Sequence, residues 1–314
     1  MEILSNFKNL AELTIYFADD QSCRKYLELM RWNGSPVCPH CSNGEVYKFS
    51  DDKSYKCKAC RKKFTVTVGT IFEDTHIGLR KWFMAIYIFT SHKKGISSVQ
   101  LGKDLGITQK SAWHLLHRIR YAFGLTEPET LEGEVEIDET YIGGKAKNMH
   151  KKERAKKIQG RGASGKTAVL GMIERSGRIY VKPVQSTDSQ TLQTAIKERV
   201  EEGSQIFTDE FPSYRGLEGD YSHETINHSI GNYVNGNIHT NGIESHWSML
   251  KRGIYGIYHQ VSEKHLHRYC TEFGYRHNTR KSNEVDRFDS VLAFCEGRLM
   301  YKTLIGKKSE LETP

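Results

Sequence analysis

The sequence predicts a mixed α/β protein made of a zinc ribbon, a small helical domain and a larger α/β domain. Two Cys-x2-Cys pairs lie within the first 60 residues, two short helical patterns flank Gly106, and strand patterns dominate beyond residue 126. A chain of 314 residues is long enough for several domains. The predicted boundaries are 1–75 for an N-terminal helix with the ribbon, 76–125 for the helical domain, 126–285 for the α/β domain, and 286–314 for a helical tail.

The overall charge favours a polyanionic partner. Lysine and arginine exceed aspartate and glutamate by 8, and the isoelectric point is about 9.0. Nucleic acid or an acidic membrane surface suits such a surplus. The sequence has no run of about 18 apolar residues, and its first residues lack the basic and apolar pattern of a secretory signal. We therefore expect neither a membrane span nor secretion.

Four of the seven cysteines have the spacing of a structural zinc site. Cys38 and Cys41 form one Cys-x2-Cys pair, Cys57 and Cys60 form the second, and the strand-like runs GEVYKF and KFTVTV flank the second pair. Pairs at this separation allow four thiolates to converge tetrahedrally on one Zn²⁺ ion. The sequence therefore predicts a zinc ribbon with one structural zinc. The alternative is four unliganded cysteines in a reducing cell.

Residues 95–123 predict two helices joined by a glycine turn. Ser97 or Ser98 can cap the first helix, Gly106 provides the turn, and Thr108 can cap the second helix. This is the pattern of a helix-turn-helix, whose second helix enters the major groove of DNA with its N-terminal residues. An ordinary helical hairpin is the alternative. In the first interpretation, the residues that face DNA are Gln109, Lys110, Ser111 and His114.

Beyond residue 126 the sequence changes to strand patterns. GEVEIDETYIGG predicts one strand, TAVLGMIERSGRIYVKPV predicts two, and SQIFTDEF predicts a fourth. An amphipathic helix, capped by Asp188 and ending at Gly203, lies between the third strand and the fourth. Three strands, a helix, a further strand and later helices follow the order of an RNase H-like domain. The predicted fold class is therefore α/β, with an RNase H-like domain preceded by a zinc ribbon and a helix-turn-helix domain.

Three acidic residues in this region are candidate metal ligands. Asp138 lies on the first predicted strand, Asp209 ends the fourth, and Glu244 lies on a helix predicted to begin near Asn241. In an RNase H-like sheet the first and fourth strands are neighbours, so these carboxylates can converge. Two Mg²⁺ ions held by carboxylates support in-line displacement at a phosphodiester. We expect Asp138 to bridge both ions, with Asp209 and Glu244 each holding one.

The segment GRGASGKT, residues 160–167, fits the phosphate-binding pattern G-x-x-x-x-G-K-[ST]. That pattern requires a buried strand before the loop and a helix after it. Here a polar, basic segment precedes the motif and a strand follows it, so we predict no ATP site. Residues 145–166 hold nine lysines and arginines against one acid, Glu153. This composition predicts a loop that contacts DNA phosphates, and a merely solvated charged loop is the alternative.

Lys251 lies two turns after Glu244 on the same predicted helix, where it can contact a phosphate beside the metal site. Arg252 follows it. Together with the basic loop, these residues complete the predicted DNA-contacting set outside the helix-turn-helix. The set consists of Lys145, Lys147, Lys151, Lys152, Arg161, Lys166, Lys251 and Arg252.

The four cysteines and three longer blocks, VEIDETYIGGK, FTDEFPSYRGL and HTNGIESHWSMLKRGIYGIYHQVSEKHLHRYCTEFGYRHN, together resemble a known family. The sequence is similar to the DDE transposases of bacterial insertion sequences, in the zinc-ribbon branch related to Merlin elements (ISXO2-like transposases). The resemblance covers about residues 15–285. It implies a catalytic triad of Asp138, Asp209 and Glu244, two Mg²⁺ (or Mn²⁺) ions, and terminal inverted repeats as the specific DNA. It also implies a cytoplasmic, nucleoid-associated enzyme, or a nuclear one if the host is eukaryotic.

These observations predict a transposase that acts on double-stranded DNA, at the inverted repeats and at the target. At least a dimer is expected, because two transposon ends must be joined in concert. No ATP is expected to take part. A first alternative is a transcription regulator on a catalytically inactive scaffold, whose DNA binding would survive loss of Asp138. A second is a structure-selective nuclease, which would cut branched DNA without joining ends.

Overall fold

The computed structural model describes residues 7–144, 150–152, 154, 158, 164–175, 177–226 and 239–306. The chain divides into two compact units, the first formed by residues 1–126 and 281–314 and the second by residues 127–280. The C-terminal segment therefore belongs to the same unit as the N-terminal one. The finer division into ribbon, helical domain and tail stays a prediction. Within the described ranges, no helix has the length and apolar character that a membrane crossing requires.

Several helices begin at polar caps that the sequence provides. Asp19, Ser97, Thr108 and Asp188 each accept a hydrogen bond from a backbone N–H in the first turn of the helix that follows. Gly106 ends the fourth helix with a φ of 60°, a left-handed conformation that glycine adopts at little cost. The helices are α1 (Leu10–Tyr16), α2 (Asp20–Trp32), α3 (Leu79–Ser91), α4 (Ser98–Leu105), α5 (Gln109–Gly124), α6 (Ser189–Lys197), α7 (Asn241–Gly253), α8 (Leu266–Asn278), α9 (Glu284–Ala293) and α10 (Tyr301–Ile305).

A small antiparallel sheet in the first unit lies next to the four cysteines of the two Cys-x2-Cys pairs. Its strands, in the spatial order β1-β2-β3, are β1 (Val46–Lys48), β2 (Ser54–Cys57) and β3 (Lys63–Thr65). The sulfur atoms of Cys38 and Cys60 are 3.6 Å apart, as are those of Cys41 and Cys57. All four lie within 4.8 Å of one another. Thiolates bound to one tetrahedral zinc are about 3.8 Å apart, so the predicted cluster is confirmed as a site that fits Zn²⁺.

The second unit contains a five-stranded sheet with the order β6-β5-β4-β7-β8. The first three strands along the chain are antiparallel neighbours, whereas β7 pairs in parallel with both β4 and β8. The first and fourth strands of this unit are therefore adjacent, as expected from the sequence. The strands are β4 (Glu134–Ile142), β5 (Thr167–Glu174), β6 (Ile179–Val184), β7 (Gln205–Asp209) and β8 (Ser222–Ile226).

Helices cover both faces of this sheet. On one face, Leu192 and Ile196 of α6 pack against Val135 and Ile137 of β4 in a continuous apolar core. On the opposite face, α7 and α8 pack against β5 and β6 in a second core, which includes Trp247. Since successive residues of a strand point to opposite faces, β4, β5 and β6 each contribute to both cores. The unit is thus a three-layer arrangement with α7 on the face that receives Asp138.

Two elements differ from the sequence prediction. The short strand β8 was not predicted, because SHETI is largely polar and lies at the edge of the sheet, with apolar burial at Ile226 alone. The helix capped by Asp188 ends at Lys197 and not at Gly203. After α6 the chain instead pairs with Leu131, whose N–H donates to the carbonyl of Arg199 and whose carbonyl accepts from Glu201. Where this long-range pairing begins, the helix ends, about one and a half turns earlier than predicted.

We predict that Cys41→Ser lowers the zinc content below one ion per chain and loosens the ribbon, because three thiolates hold the ion more weakly than four. Elemental analysis of the purified protein and protease sensitivity of residues 36–72 measure the two effects. Cys295→Ala is the matched control, since Cys295 is a buried thiol of the same unit outside the cluster. Full zinc content in Cys41→Ser, or equal loss in both variants, would contradict the assignment.

Candidate active site

Asp138 and Asp209 lie on neighbouring parallel strands. The register of β4 with β7 pairs Glu136 with Phe207. Continued by two residues, this register brings Asp138 level with Asp209. Paired residues of neighbouring strands point to the same face of a sheet, so the two carboxyl groups project from one face. The sheet topology therefore brings together two of the three predicted acids.

A glycine on the other neighbouring strand makes room above Asp138. Gly171 of β5 pairs directly with Asp138. A Cβ atom at Gly171 would lie 2.4 Å from Cη2 of Trp247 and 2.7 Å from Cδ1 of Ile243, so a larger residue would push α7 away from the sheet. With the glycine in place, Nε1 of Trp247 donates a hydrogen bond of 2.8 Å to Oδ2 of Asp138. The close approach of α7 thus fixes one oxygen of this carboxyl group.

The surroundings of Asp138 disfavour its charged form. Burial raises the pKa of Asp138 to about 7, the hydrogen bond from Trp247 opposes that rise, and the negative charges of Glu139 and Asp209 add to it. A buried carboxylate next to like charges is stabilised most effectively by a cation. The carboxylate oxygens of Asp138 are hard metal ligands, the type that Mg²⁺ prefers. The residues present therefore fit a divalent cation beside Asp138.

Glu139 points to the opposite face of the sheet. Its Oε2 atom accepts a hydrogen bond of 2.6 Å from the hydroxyl group of Tyr214. Burial raises the pKa of Glu139, the bond from Tyr214 opposes the rise, and Asp209 adds repulsion. Burial and the negative charge of Glu139 in turn raise the pKa of Tyr214. The two adjacent carboxyl groups of β4 thus lie on opposite faces of the sheet. Glu139 is hydrogen-bonded to Tyr214 and Asp138 to Trp247.

Glu244 lies in the first turn of α7 with an exposed side chain. It precedes Trp247 by three residues, so both lie on the same side of the helix. Among the described residues, the four cysteines are the one group of metal-ligating side chains whose ligand atoms all lie within 4.8 Å of one another. The ligand oxygens of Asp138, Asp209 and Glu244 therefore do not all lie within 4.8 Å of one another. Two ions about 4 Å apart would span such a spacing.

The position of α7 depends on a third acid of β4, Glu136. This side chain is buried, and its Oε2 atom accepts hydrogen bonds from the backbone N–H groups of Gly242 at 2.8 Å and Ile243 at 3.1 Å. Thr240, the residue before the helix, makes no side-chain capping bond. Glu136 therefore caps α7 from across the core, with its negative charge at the positive end of the helix dipole.

Two basic side chains approach the other oxygen of Glu136. Nε of Arg175 is 3.4 Å from Oε1, and Nδ1 of His239 is 3.1 Å from the same atom without hydrogen-bond alignment. The guanidinium group of Arg175 also lies over the ring of Phe207, 3.8 Å from its centroid, and donates to the carbonyl of His239. Glu136 thus joins β4, β5, β7 and the start of α7. A buried carboxylate with this many donors is compensated within the protein.

The four residues predicted to face DNA from a helix-turn-helix differ in exposure. Gln109 and Lys110 are exposed at the start of α5, whereas Ser111 and His114 are half-buried. Nζ of Lys110 lies 5.0 Å from the ring centroid of Tyr301 in α10, and the rings of His114 and Tyr301 have centroids 5.3 Å apart. Burial lowers the pKa of His114. The C-terminal helix therefore lies against the surface predicted to read DNA, and the role of these residues stays a prediction.

The basic residues predicted to contact DNA phosphates lie only partly within the described residues. Lys151, Lys152 and Lys166 are exposed, Arg252 is exposed in the last turn of α7, and Lys251 is half-buried. Three further predicted contacts lie outside the described residues, namely Lys145, Lys147 and Arg161. The exposure of the described lysines allows a phosphate contact, and their role also stays a prediction.

Sequence reasoning missed Glu136 and Gly171. In VEIDETY, two acids alternate with apolar residues, so the strand pattern places Glu136 on the same face as Asp138. That pattern was a usable signal for a buried carboxylate. It does not reveal the partner, because the N–H groups of α7 come from residues more than a hundred positions away. Gly171 stands inside an apolar strand, where glycine often marks a close approach.

We predict that Glu136→Gln lowers the free energy of unfolding by about 1–3 kcal/mol, because the amide keeps the shape of the side chain but removes the charge that caps α7 and faces Arg175. Urea unfolding of the zinc-loaded protein measures the change. Glu134→Gln is the matched control, since Glu134 also contacts Arg175 but is exposed. Its expected cost is below about 1 kcal/mol. Equal costs for the two variants would contradict a special role for Glu136.

Comparison with known proteins agrees with this arrangement. Residues 130–278, which include all three acids, match the ISXO2-like transposase domain, and residues 18–63 match the transposase zinc-ribbon domain. A protein of the transposable element ISH50 from Halobacterium salinarum is 28% identical over 288 residues, which cover 88% of this chain and 97% of that protein. A transposase-like protein from Haemophilus influenzae is 31% identical over 116 residues, which cover 37% of this chain and 90% of the relative. The chain belongs to the family of ISXO2-like transposases.

Proposed function

We propose that this transposase binds the terminal inverted repeats of an insertion sequence and catalyses metal-dependent cleavage and joining of DNA strands. Asp138, Asp209 and Glu244 are its catalytic residues, and they hold two Mg²⁺ (or Mn²⁺) ions. The observation that carries the proposal is the placement of Asp138 and Asp209 on one face of the sheet, beneath the helix that bears Glu244. Its activity is that of a polynucleotidyl transferase, and it acts at the DNA of the host cell.

The second unit is, in this proposal, an RNase H-like domain. The strand order β6-β5-β4-β7-β8 supports it, with three antiparallel strands followed by two that run parallel to the first. Helices on both faces also support it. In a sheet of this order the first and fourth strands are central neighbours, so their side chains can share one pair of metal ions.

Cleavage and joining are both in-line displacements at phosphorus. Two bound Mg²⁺ ions would activate the entering oxygen and stabilise the leaving oxygen. The side chains hold and orient this site. Oδ2 of Asp138 is engaged by Trp247, and Oδ1 of Asp209 accepts a hydrogen bond of 3.0 Å from the backbone N–H of Phe211. Each aspartate therefore keeps its other oxygen for a metal ligand.

The third ligand depends on the position of α7. Glu136 holds the N-terminal turn of this helix against β4, and Glu244 lies within that turn. Lys251 follows Glu244 by seven residues on the same side of α7, where its ammonium group would contact a phosphate of the bound DNA. We therefore assign Glu136 a positioning role and Lys251 a binding role.

DNA binding is assigned to the first unit and the basic loop. Helices α4 and α5, with Gly106 between them, would act as a helix-turn-helix that inserts the start of α5 into the major groove. The basic loop at residues 145–166 would contact phosphates without regard to sequence. The active form would be at least a dimer, since two transposon ends and one target are joined in concert.

A strand-transfer assay tests the proposal. Zinc-loaded protein and Mg²⁺ are mixed with supercoiled plasmid and a labelled duplex ending in the inverted repeat of the element. We expect joined products from the parent protein and none above background from Asp138→Asn, Asp209→Asn or Glu244→Gln, because each removes a charged metal ligand.

Glu210→Gln is the matched control for that assay. Glu210 follows Asp209 directly but is exposed at the end of the strand, so its loss of charge should leave joining intact. Joined products from Asp209→Asn would contradict the assignment. A parent protein that binds the labelled ends but never joins them, with Mg²⁺ or Mn²⁺, would instead favour the regulator. Cutting of branched DNA without joining would favour the nuclease.

A further inference from the structure

The small sheet of the zinc ribbon has one buried face. Tyr55 of β2 and Phe64 of β3 lie on this face with their rings stacked, and Trp32 of α2 packs edge-on against both. These rings, together with Cys38 and Cys57, form the apolar core of the ribbon. Because side chains alternate along a strand, the neighbours of Tyr55 and Phe64 must point to the opposite face.

The opposite face carries aromatic and basic side chains in cross-strand rows. The register pairs Tyr47 of β1 with Lys56 of β2, and Lys56 with Lys63 of β3, so the three side chains lie side by side. Phe49 lies two residues beyond Tyr47, and its backbone N–H donates to the carbonyl of Ser54, which continues the pairing of β1 with β2. We call Tyr47, Phe49, Lys56, Lys58 and Lys63 the ribbon face.

Both aromatic rings of the ribbon face are exposed. Tyr47 is 52% exposed and Phe49 is 36% exposed, which is unusual for rings of this size. Each ring is accompanied by an ammonium group: Nζ of Lys58 lies 5.2 Å from the centroid of Tyr47, and Nζ of Lys63 lies 4.9 Å from that of Phe49. These cation–π contacts place a positive charge over one face of each exposed ring.

The charge of this region favours an anionic partner. From Glu45 to Lys63 the chain has seven basic residues against three acids. One of these acids, Glu45, comes just before β1, and its carboxylate is 4.0 Å from Nζ of Lys58. A surface that combines exposed rings with excess lysine matches a ligand that has both flat apolar groups and phosphates.

We propose that the ribbon face binds unpaired DNA bases, with Tyr47 and Phe49 as stacking surfaces and Lys56, Lys58 and Lys63 as phosphate contacts. Residues i and i+2 of a strand are about 6.6 Å apart, roughly twice the spacing of about 3.4 Å between stacked bases of a duplex. Each ring therefore takes one base of an extended single strand. The bases of an intact duplex offer no free faces to these rings.

The proposal goes beyond the cleavage and joining assigned to the acidic site, and it does not depend on that assignment. Binding to the ribbon face needs no divalent ion, because the ligands are rings and ammonium groups. A variant without the catalytic carboxylates should bind a single strand as the parent does. Failure of the strand-transfer proposal and failure of this one are therefore distinguishable.

Fluorescence anisotropy with a short labelled oligothymidine tests the proposal, using the zinc-loaded full chain without Mg²⁺. We expect the parent to bind the oligothymidine, whereas binding of a duplex of equal length, which we assign to α5 and the basic loop, should be the same in the parent and in the ring variants. Tyr47→Ala and Phe49→Ala should each weaken binding about tenfold, since each removes one base-stacking surface. Asp209→Asn should bind as the parent does.

Ring-retaining variants separate stacking from structure. Tyr47→Phe and Phe49→Tyr keep the ring and should bind like the parent, whereas a structural defect would weaken them too. Ile15→Ala removes another exposed apolar side chain of the same unit, 77% exposed, and should have no effect. Unchanged binding in the alanine variants would overturn the proposal. So would an equal loss of duplex binding in the alanine variants, which would show a general defect, or competition by polyglutamate as strong as that by oligothymidine, which would show binding by charge alone.

Discussion

The hydrogen bonds from the N-terminal turn of α7 to Glu136 determine how the second unit presents its acidic residues. The first N–H groups of a helix have no hydrogen-bond partners within the helix, and the side chain of Thr240, the residue before α7, does not cap them. Glu136 accepts two of these groups from the middle of β4. Because Asp138 lies two residues further along the same strand, this one bond network sets the position of Glu244 relative to Asp138.

The acids of β4 show how environment separates structural from reactive carboxylates. Glu136 is surrounded by N–H donors and basic groups, so its charge is compensated inside the protein. Glu139 faces the other core and is bound by Tyr214. Asp138 accepts from neutral donors, chiefly Nε1 of Trp247, and burial together with repulsion from Glu139 and Asp209 raises its pKa to about 7. Of these three carboxylates, Asp138 is the one that a bound cation would stabilise most, because protein groups compensate its charge least.

Local chemistry made much of the fold predictable. The cysteine spacing, the caps Ser97, Thr108 and Asp188, and the apolar runs of β4 to β7 each act over a few residues, and the structure contains the elements they predict. What the sequence could not give depends on distant contacts. The edge strand β8 is polar, the end of α6 is set by pairing with Leu131, and the role of Glu136 requires knowledge of where α7 begins. The alternation of side chains along a strand explains why Asp138 and Glu139 point to opposite faces.

The most direct test of this account is a count of Mn²⁺ ions bound by the zinc-loaded chain, measured by electron paramagnetic resonance titration. The account predicts two ions per chain for the parent protein and weaker binding for Asp138→Asn. Glu139→Gln, one residue away on the opposite face of the sheet, should keep both ions. Binding that is unchanged in Asp138→Asn, or lost to the same extent in Glu139→Gln, would contradict the claim that one face of this sheet forms the metal site.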